Sequence, residues 1–151
     1  NSKGLVKLKM HNVSNIEVSE LYHYMDTGSP HYNCFEKNVD AIDIVARGRE
    51  IRYNERFKEI GTNVNFIEHL SNGIKVRTYE RGVENETLSC GTGVTACALS
   101  TALISETPSG EIKVSTTGGD LSVSFIQTEG RFEDVWLIGP TKFVFNGEIE
   151  V

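Results

Sequence analysis

The chain has 151 residues, enough for one domain that buries a core of its own. Its composition is that of an ordinary globular protein, 38% hydrophobic and 24% charged, and its net charge of −6 argues against nucleic acid and anionic membrane surfaces, which select basic faces. An odd count of three cysteines argues against a disulfide framework and predicts free thiols in a reducing compartment, the cytoplasm.

Gly4 to Met10 is predicted to be a strand, with Val6, Leu8 and Met10 on one face and Lys7 and Lys9 on the other. Before it the chain opens Asn1-Ser2-Lys3 without a methionine or a signal-peptide pattern, as a processed product or the second half of something longer would. A polar stretch leads to Leu21-Tyr22-His23-Tyr24-Met25, suited to a pleated surface. Asp26-Thr27-Gly28-Ser29-Pro30 is a turn, and His31-Tyr32-Asn33-Cys34-Phe35 starts the next strand. Asp40 to Phe57 has helical spacing that Gly48 weakens, so the helix is expected to begin near that glycine. Val64–Glu68 and Ile74–Tyr79 flank Asn72-Gly73, the strongest short-range hairpin signal.

Then comes the stretch that concentrates the chemistry, Thr87-Leu88-Ser89-Cys90-Gly91-Thr92-Gly93. It opens the longest apolar run of the chain, from Val94 to Ile104, predicted to be a helix covered on all sides. Free N–H groups and the positive end of the helix dipole at such a start bind an anion, such as a carboxylate, and favour a thiolate at Cys90. Beyond the helix, Glu111–Thr116 and Leu121–Phe125 flank Gly118-Gly119 as a second hairpin, and Val135–Ile138 and Phe143–Phe145 follow as strands. The pattern predicts one strand-rich α+β domain over 1–151, an antiparallel sheet with one central apolar helix.

Most cysteines without a partner are structural, and Cys34 and Cys97 are read that way. The Gly-Thr-Gly after Cys90 points instead to close backbone approach by a ligand. Glu80-Arg81-Gly82 ends a strand shortly before Cys90, where a carboxylate could orient the thiol or accept its proton and a guanidinium could grip a substrate carboxylate. His31 after a Gly/Pro turn is by itself an ordinary surface histidine, and Asn63 by itself an edge-strand hydrogen-bonder. No CxxC, HExxH, GxGxxG or GxxxxGK[ST] pattern is present, so neither a metal nor a nucleotide is expected. No apolar segment reaches the roughly 18–20 residues that span a bilayer. A cysteine hydrolase with His31 as base stays open at this point.

Taken together, Thr27-Gly28-Ser29-Pro30-His31, Thr62-Asn63-Val64-Asn65-Phe66, Arg77-Thr78-Tyr79-Glu80-Arg81-Gly82-Val83, Glu86 to Gly93 and Gly118-Gly119-Asp120-Leu121 resemble diaminopimelate epimerase, in order and over essentially the whole chain. The resemblance implies two similar domains, each a sheet wrapped barrel-like around a central helix, with the amino-acid substrate between them. It implies a racemase or epimerase of lysine and peptidoglycan precursor synthesis that works without pyridoxal phosphate or any other cofactor. One cysteine per domain serves, the first removing the α-proton and the second returning a proton to the opposite face. This chain then resembles the C-terminal domain alone. A missing N-terminal domain would hold the second cysteine, and the isolated chain would be inactive. Carried over residue by residue, the resemblance makes Cys90 catalytic with Glu80 as its helper, and His31 the histidine of the opposite cysteine. It assigns Asn63, Arg81, Gly91 and Thr92 to substrate binding. Two positions depart from the usual pattern, Ser29 in place of asparagine and Glu84-Asn85 in place of one glycine. The alternatives are a proline racemase-like enzyme and a non-catalytic fragment. Phe143-Val144-Phe145, Ile149 and Val151 are expected to lie exposed or to pair with another chain, as in a homo-oligomer.

Overall fold

Period-two alternation of apolar side chains, interrupted by tight Gly-containing turns, builds the chain around a single mixed sheet of ten strands. The computed structural model describes residues 4–150, so Asn1, Ser2, Lys3 and Val151 lie outside the described residues. In chain order the elements are β1 (Leu5–Lys9), β2 (Glu17–Val18), β3 (His23–Asp26), β4 (Pro30–Phe35), a short 3-10 turn (Val39–Ala41), α1 (Ile44–Arg52), β5 (Asn63–Leu70), β6 (Gly73–Glu80) and β7 (Asn85–Thr87). There follow α2 (Gly91–Ile104), β8 (Ser109–Thr116), β9 (Gly119–Thr128) and β10 (Arg131–Pro140). The strand order is β1-β10-β9-β8-β6-β5-β4-β3-β2, with β7 paired to β6.

Both expected hairpins form, β5/β6 around Asn72-Gly73 and β8/β9 around Gly118-Gly119. The sheet is nevertheless not antiparallel throughout: β4 pairs β5 and β6 pairs β8 in parallel. Each parallel pair is joined by a crossover long enough to carry a helix, α1 in the first case and α2 in the second. No ladder joins β1 to β2 among the described residues, so the sheet stays open at those two ends.

Helix α2 packs against β3, β4, β5, β6, β8, β9 and β10. Every residue from Gly93 to Thr101 is buried, as the uniformly apolar run predicts. The facing strands supply Ile67, Ile74, Val76, Val114, Val123, Phe125 and Val135 to the same cluster. The opposite face of β4–β6 packs Cys34, Val64, Phe66 and Tyr79 against Ile44 of α1.

Two local expectations fail for identifiable reasons. Helix α1 does not begin near Gly48 but runs through it from an N-cap at Asp43, whose carboxylate accepts from the Ala46 N–H at 3.0 Å. Gly48 is there for close approach: a Cβ would come within 2.5 Å of Tyr79 Cγ. Strand β1 forms as expected, at the edge of the sheet, with Val6 and Leu8 exposed. Phe143–Phe145 is not a strand. The β1/β10 ladder ends where Thr141 N–H donates to Gly4 O at 2.8 Å, and no described strand lies beside the residues that follow.

Candidate functional site

In β4, β5 and β6 the side chains facing α2 change character along the strands. Towards the C-terminal end of α2 they are the apolar Phe35, Ile67, Ile74 and Val76. Towards its N-terminus they are His31, Asn33, Asn63, Asn65 and Thr78, all buried. The parallel register sets His31 opposite Asn63 and Asn33 opposite Asn65, and the β5/β6 register adds Thr78 beside Asn65. A layer of polar side chains therefore lies under the first turn of α2.

Cys90 is the N-cap residue of that helix, with extended backbone (φ −122, ψ 112), and its carbonyl accepts the first helical bond, from Val94 N–H at 2.8 Å. The N–H groups of Gly91, Thr92 and Gly93 precede that bond and have no acceptor within the helix. They and the helix dipole make a seat for a carboxylate beside the partly exposed thiol. Gly93 has to lack a side chain, because a Cβ there would lie 2.8 Å from Asn65 Oδ1 and 3.3 Å from both Cys90 Cβ and His31 Cε1.

Thr92 is the node of the site. Its hydroxyl oxygen lies 3.4 Å from Cys90 Sγ, 3.0 Å from His31 Nε2 and 3.2 Å from Ser29 Oγ. Its carbonyl accepts from Thr27 Oγ1 at 2.8 Å, which ties the β3–β4 turn to the helix start. Asn63 Nδ2 donates to Ser29 Oγ (3.1 Å) and to Pro30 O (3.0 Å), while Asn63 Oδ1 accepts the backbone N–H of Arg81 at 2.9 Å. That last bond carries the end of β6 to the site. The Arg81 guanidinium donates from Nη1 to Ile60 O at 3.0 Å.

Burial, and then the nearby Arg81 cation, push the pKa of His31 down to about 3, so the ring is neutral. Burial pushes Cys34 up to about 12 and Cys97 well above the ordinary thiol range, so both remain thiols. The structural reading of those two cysteines stands.

The structure thus brings Cys90, Gly91, Thr92, His31 and Asn63 together and attaches Arg81 through its backbone. Glu80 ends β6 opposite Asn85 of β7, and among the described residues no hydrogen bond joins its carboxylate to Cys90. The cysteine–histidine pair of a hydrolase is not formed, because His31 Nε2 is directed to Thr92 and Ser29 rather than to the thiol. Asn63 lies in an interior strand, not at an edge. Ser29, Asn33, Asn65 and Thr78 join the site without a local motif of their own, although His31-x-Asn33 and Asn63-x-Asn65 put polar side chains at alternate positions of buried strands. That pattern is legible once the inward face is known. No set of three His, Cys, Asp or Glu side chains able to hold a metal converges among the described residues.

Residues 23–144 match the protein family described as diaminopimelate epimerase. A diaminopimelate epimerase of Flavobacterium psychrophilum is 40% identical over 150 residues, covering 99% of this chain and 59% of the relative. One from a Hydrogenobaculum species is 42% identical, covering 88% of this chain and 50% of the relative. The chain thus spans about half the length of the curated relatives it matches. Among solved structures, a phenazine biosynthesis protein of the PhzF family from Enterococcus faecalis superposes with a TM-score of 0.51 at 14% identity, over 82% of this chain and 42% of that one, a likeness of fold.

Proposed function

The chain belongs to the diaminopimelate epimerase family, and from that premise we propose that it supplies one of two proton-transfer faces for the interconversion of LL- and meso-diaminopimelate. The observation that carries this is Cys90 at the mouth of α2, its sulfur beside unpaired helix N–H groups and the Thr92 hydroxyl.

The substrate α-carboxylate sits on the Gly91 and Thr92 N–H groups, with the remaining donors of Arg81 completing its recognition and Asn63 serving substrate binding by holding the Arg81 backbone and the Ser29 turn in place. Loss of the α-proton puts negative charge onto that carboxylate, and preorganised donors stabilise it. Cys90 sulfur works on one face of the carbon: as thiolate it takes the proton, and as thiol it returns one in the reverse direction. Glu80 assists the transfer. His31 belongs to the face of the opposite cysteine. The second thiol comes from outside these 151 residues, because Cys34 and Cys97 are buried and held as thiols. Both transfers use side chains alone, so no cofactor is required.

In this reading the chain is the C-terminal domain of a two-domain enzyme. The contacts of α2 with seven strands support the barrel-like wrapping. Its three free cysteines fit a cytoplasmic setting.

Solvent-deuterium exchange tests the proposal. The chain alone, given LL-diaminopimelate in D2O, is expected to produce no meso isomer. Fused to the part of the Flavobacterium psychrophilum relative that it does not cover, it is expected to produce meso isomer deuterated at the α-carbon, and Cys90→Ala is expected to abolish this. Robust turnover by the pure isolated chain, or full activity of the Cys90→Ala fusion, would overturn it.

A further inference from the structure

The polar layer under α2 continues past the residues given a role in the reaction, and Asn65 is its branch point. Asn65 is buried completely. Its Nδ2 lies 3.0 Å from His31 Nδ1 and 2.7 Å from Asn33 Oδ1, and its Oδ1 accepts from Thr78 Oγ1 at 2.8 Å. Deeper in the layer, Asn33 Nδ2 donates to Ser100 Oγ at 3.1 Å, and the Cys97 thiol points at Asn33 Oδ1 at 3.8 Å. Cys97 is a fully buried thiol and acts as the donor. Asn33 Oδ1 is therefore the accepting end, and the atom of Asn65 facing it is the amide nitrogen. The second proton of that amide is aimed at His31 Nδ1.

We infer that Asn65 is a positioning residue: by donating to His31 Nδ1 it holds the ring as the Nε2–H tautomer, so that Thr92 accepts from His31 and directs its own hydroxyl proton to Cys90 Sγ. A neutral imidazole carries one N–H, and whichever nitrogen accepts fixes the other as donor. His31 Nε2–H then faces Thr92 Oγ1 and Ser29 Oγ, both at 3.0 Å. Ser29 Oγ already accepts from Asn63, which frees its proton for Thr92. Thr92 Oγ1 receives from this side, and its remaining partner is the sulfur at 3.4 Å. The outcome is a hydroxyl donor preset towards a thiolate, which both stabilises the anion and aims it. The inference rests on the proposed role of Cys90 as the proton-transfer thiol, but the tautomer itself does not depend on that role.

The test uses the 151-residue chain with 15N-labelled histidine. Long-range 1H–15N spectra near neutral pH are expected to show His31 protonated at Nε2 and bare at Nδ1. A proton on Nδ1, or an even mixture, overturns the inference. In Asn65→Asp the carboxylate can only accept, so a proton is expected to appear on Nδ1; an unchanged Nε2–H tautomer in the folded variant overturns it. If that variant does not fold, the wild-type spectrum still decides. For the link to sulfur, Thr92→Val is expected to slow iodoacetamide alkylation of Cys90 by about three- to tenfold, the loss of one charge-assisted hydrogen bond, and Thr92→Ser to restore it. Equal rates in wild type and Thr92→Val overturn that link. An Nε2–H tautomer together with an inactive fusion enzyme leaves this inference standing and removes the epimerase reading.

Discussion

His31 Nε2 stands 3.0 Å from Thr92 Oγ1, joining the first residues of β4 to the first turn of α2 across 61 positions of sequence. Neither side chain is informative by itself. Together they connect the buried polar layer to the thiol, and burial keeps the histidine neutral because water cannot solvate its charge there.

That burial has a consequence for acid stability. The pKa of His31 falls from an ordinary 6.5 to about 3 on folding. Between those values the unfolded chain binds a proton that the folded chain refuses, so stability is complete above about pH 6.5 and is lost as the pH falls towards 3. His23, also depressed by burial, acts in the same direction. Urea unfolding at pH 5 is expected to give a stability about 2 kcal/mol below that at pH 7, with a shallower dependence in His31→Gln. A flat profile between pH 7 and 5 contradicts the assignment.

Thiol accessibility separates Cys90 from the other two cysteines. Cys34 and Cys97 are buried and Cys90 is partly exposed. Excess iodoacetamide is expected to place a single adduct on the native chain, at Cys90, and three after denaturation. Peptide mapping by mass spectrometry reads the outcome. Modification of Cys34 or Cys97 at a comparable rate in the native protein would show that this core opens readily.

Gly48 sets two effects against each other. Alanine is the better helix former by about 1 kcal/mol. Yet its Cβ would lie within 3 Å of three atoms of the fully buried Tyr79, an overpacking that costs about 1–3 kcal/mol or more. Tyr79 is pinned on the other side by its hydroxyl, which donates to Glu84 at 2.9 Å, so it has little room to yield. Gly48→Ala is expected to lower stability by about 1–3 kcal/mol despite its propensity. An unchanged or raised melting temperature would refute the packing argument.

The segment after β10 leaves Phe143, Val144, Phe145 and Ile149 between 75% and 85% exposed, and Leu5, Val6 and Leu8 of the edge strand β1, which pairs with β10, are exposed as well. Such a surface favours association. Sedimentation velocity is expected to show self-association that increases with concentration and is reduced in Phe143→Ser/Phe145→Ser. A clean monomer at high concentration would count against it. Val151, expected to belong to the same surface, lies outside the described residues.

Much of the fold could be read locally. Asn72-Gly73 and Gly118-Gly119 carry their turn chemistry in the dipeptide, and the run from Val94 to Ile104 announces a helix with no solvent face. The cysteine turn was equally legible, because the glycines, the thiol and the helix start are contiguous. What failed locally involved competition with distant partners. Gly48 looks like a helix breaker until Tyr79 is seen against it, and Phe143–Phe145 has strand composition without a described neighbour.

By itself, then, the sequence determined the α+β class, the buried helix, the hairpin turns and the placing of Cys90 at a helix mouth, all of which follow from periodicity and turn chemistry within a few residues. Only the tertiary structure decided the parallel β4/β5 and β6/β8 pairings and the assembly of the site. The side chains of Ser29, His31, Asn63, Asn65 and Thr92 meet through strand register and a helix docked across it. Hydrogen bonds between residues 34 to 63 positions apart leave no local period for a sequence to display.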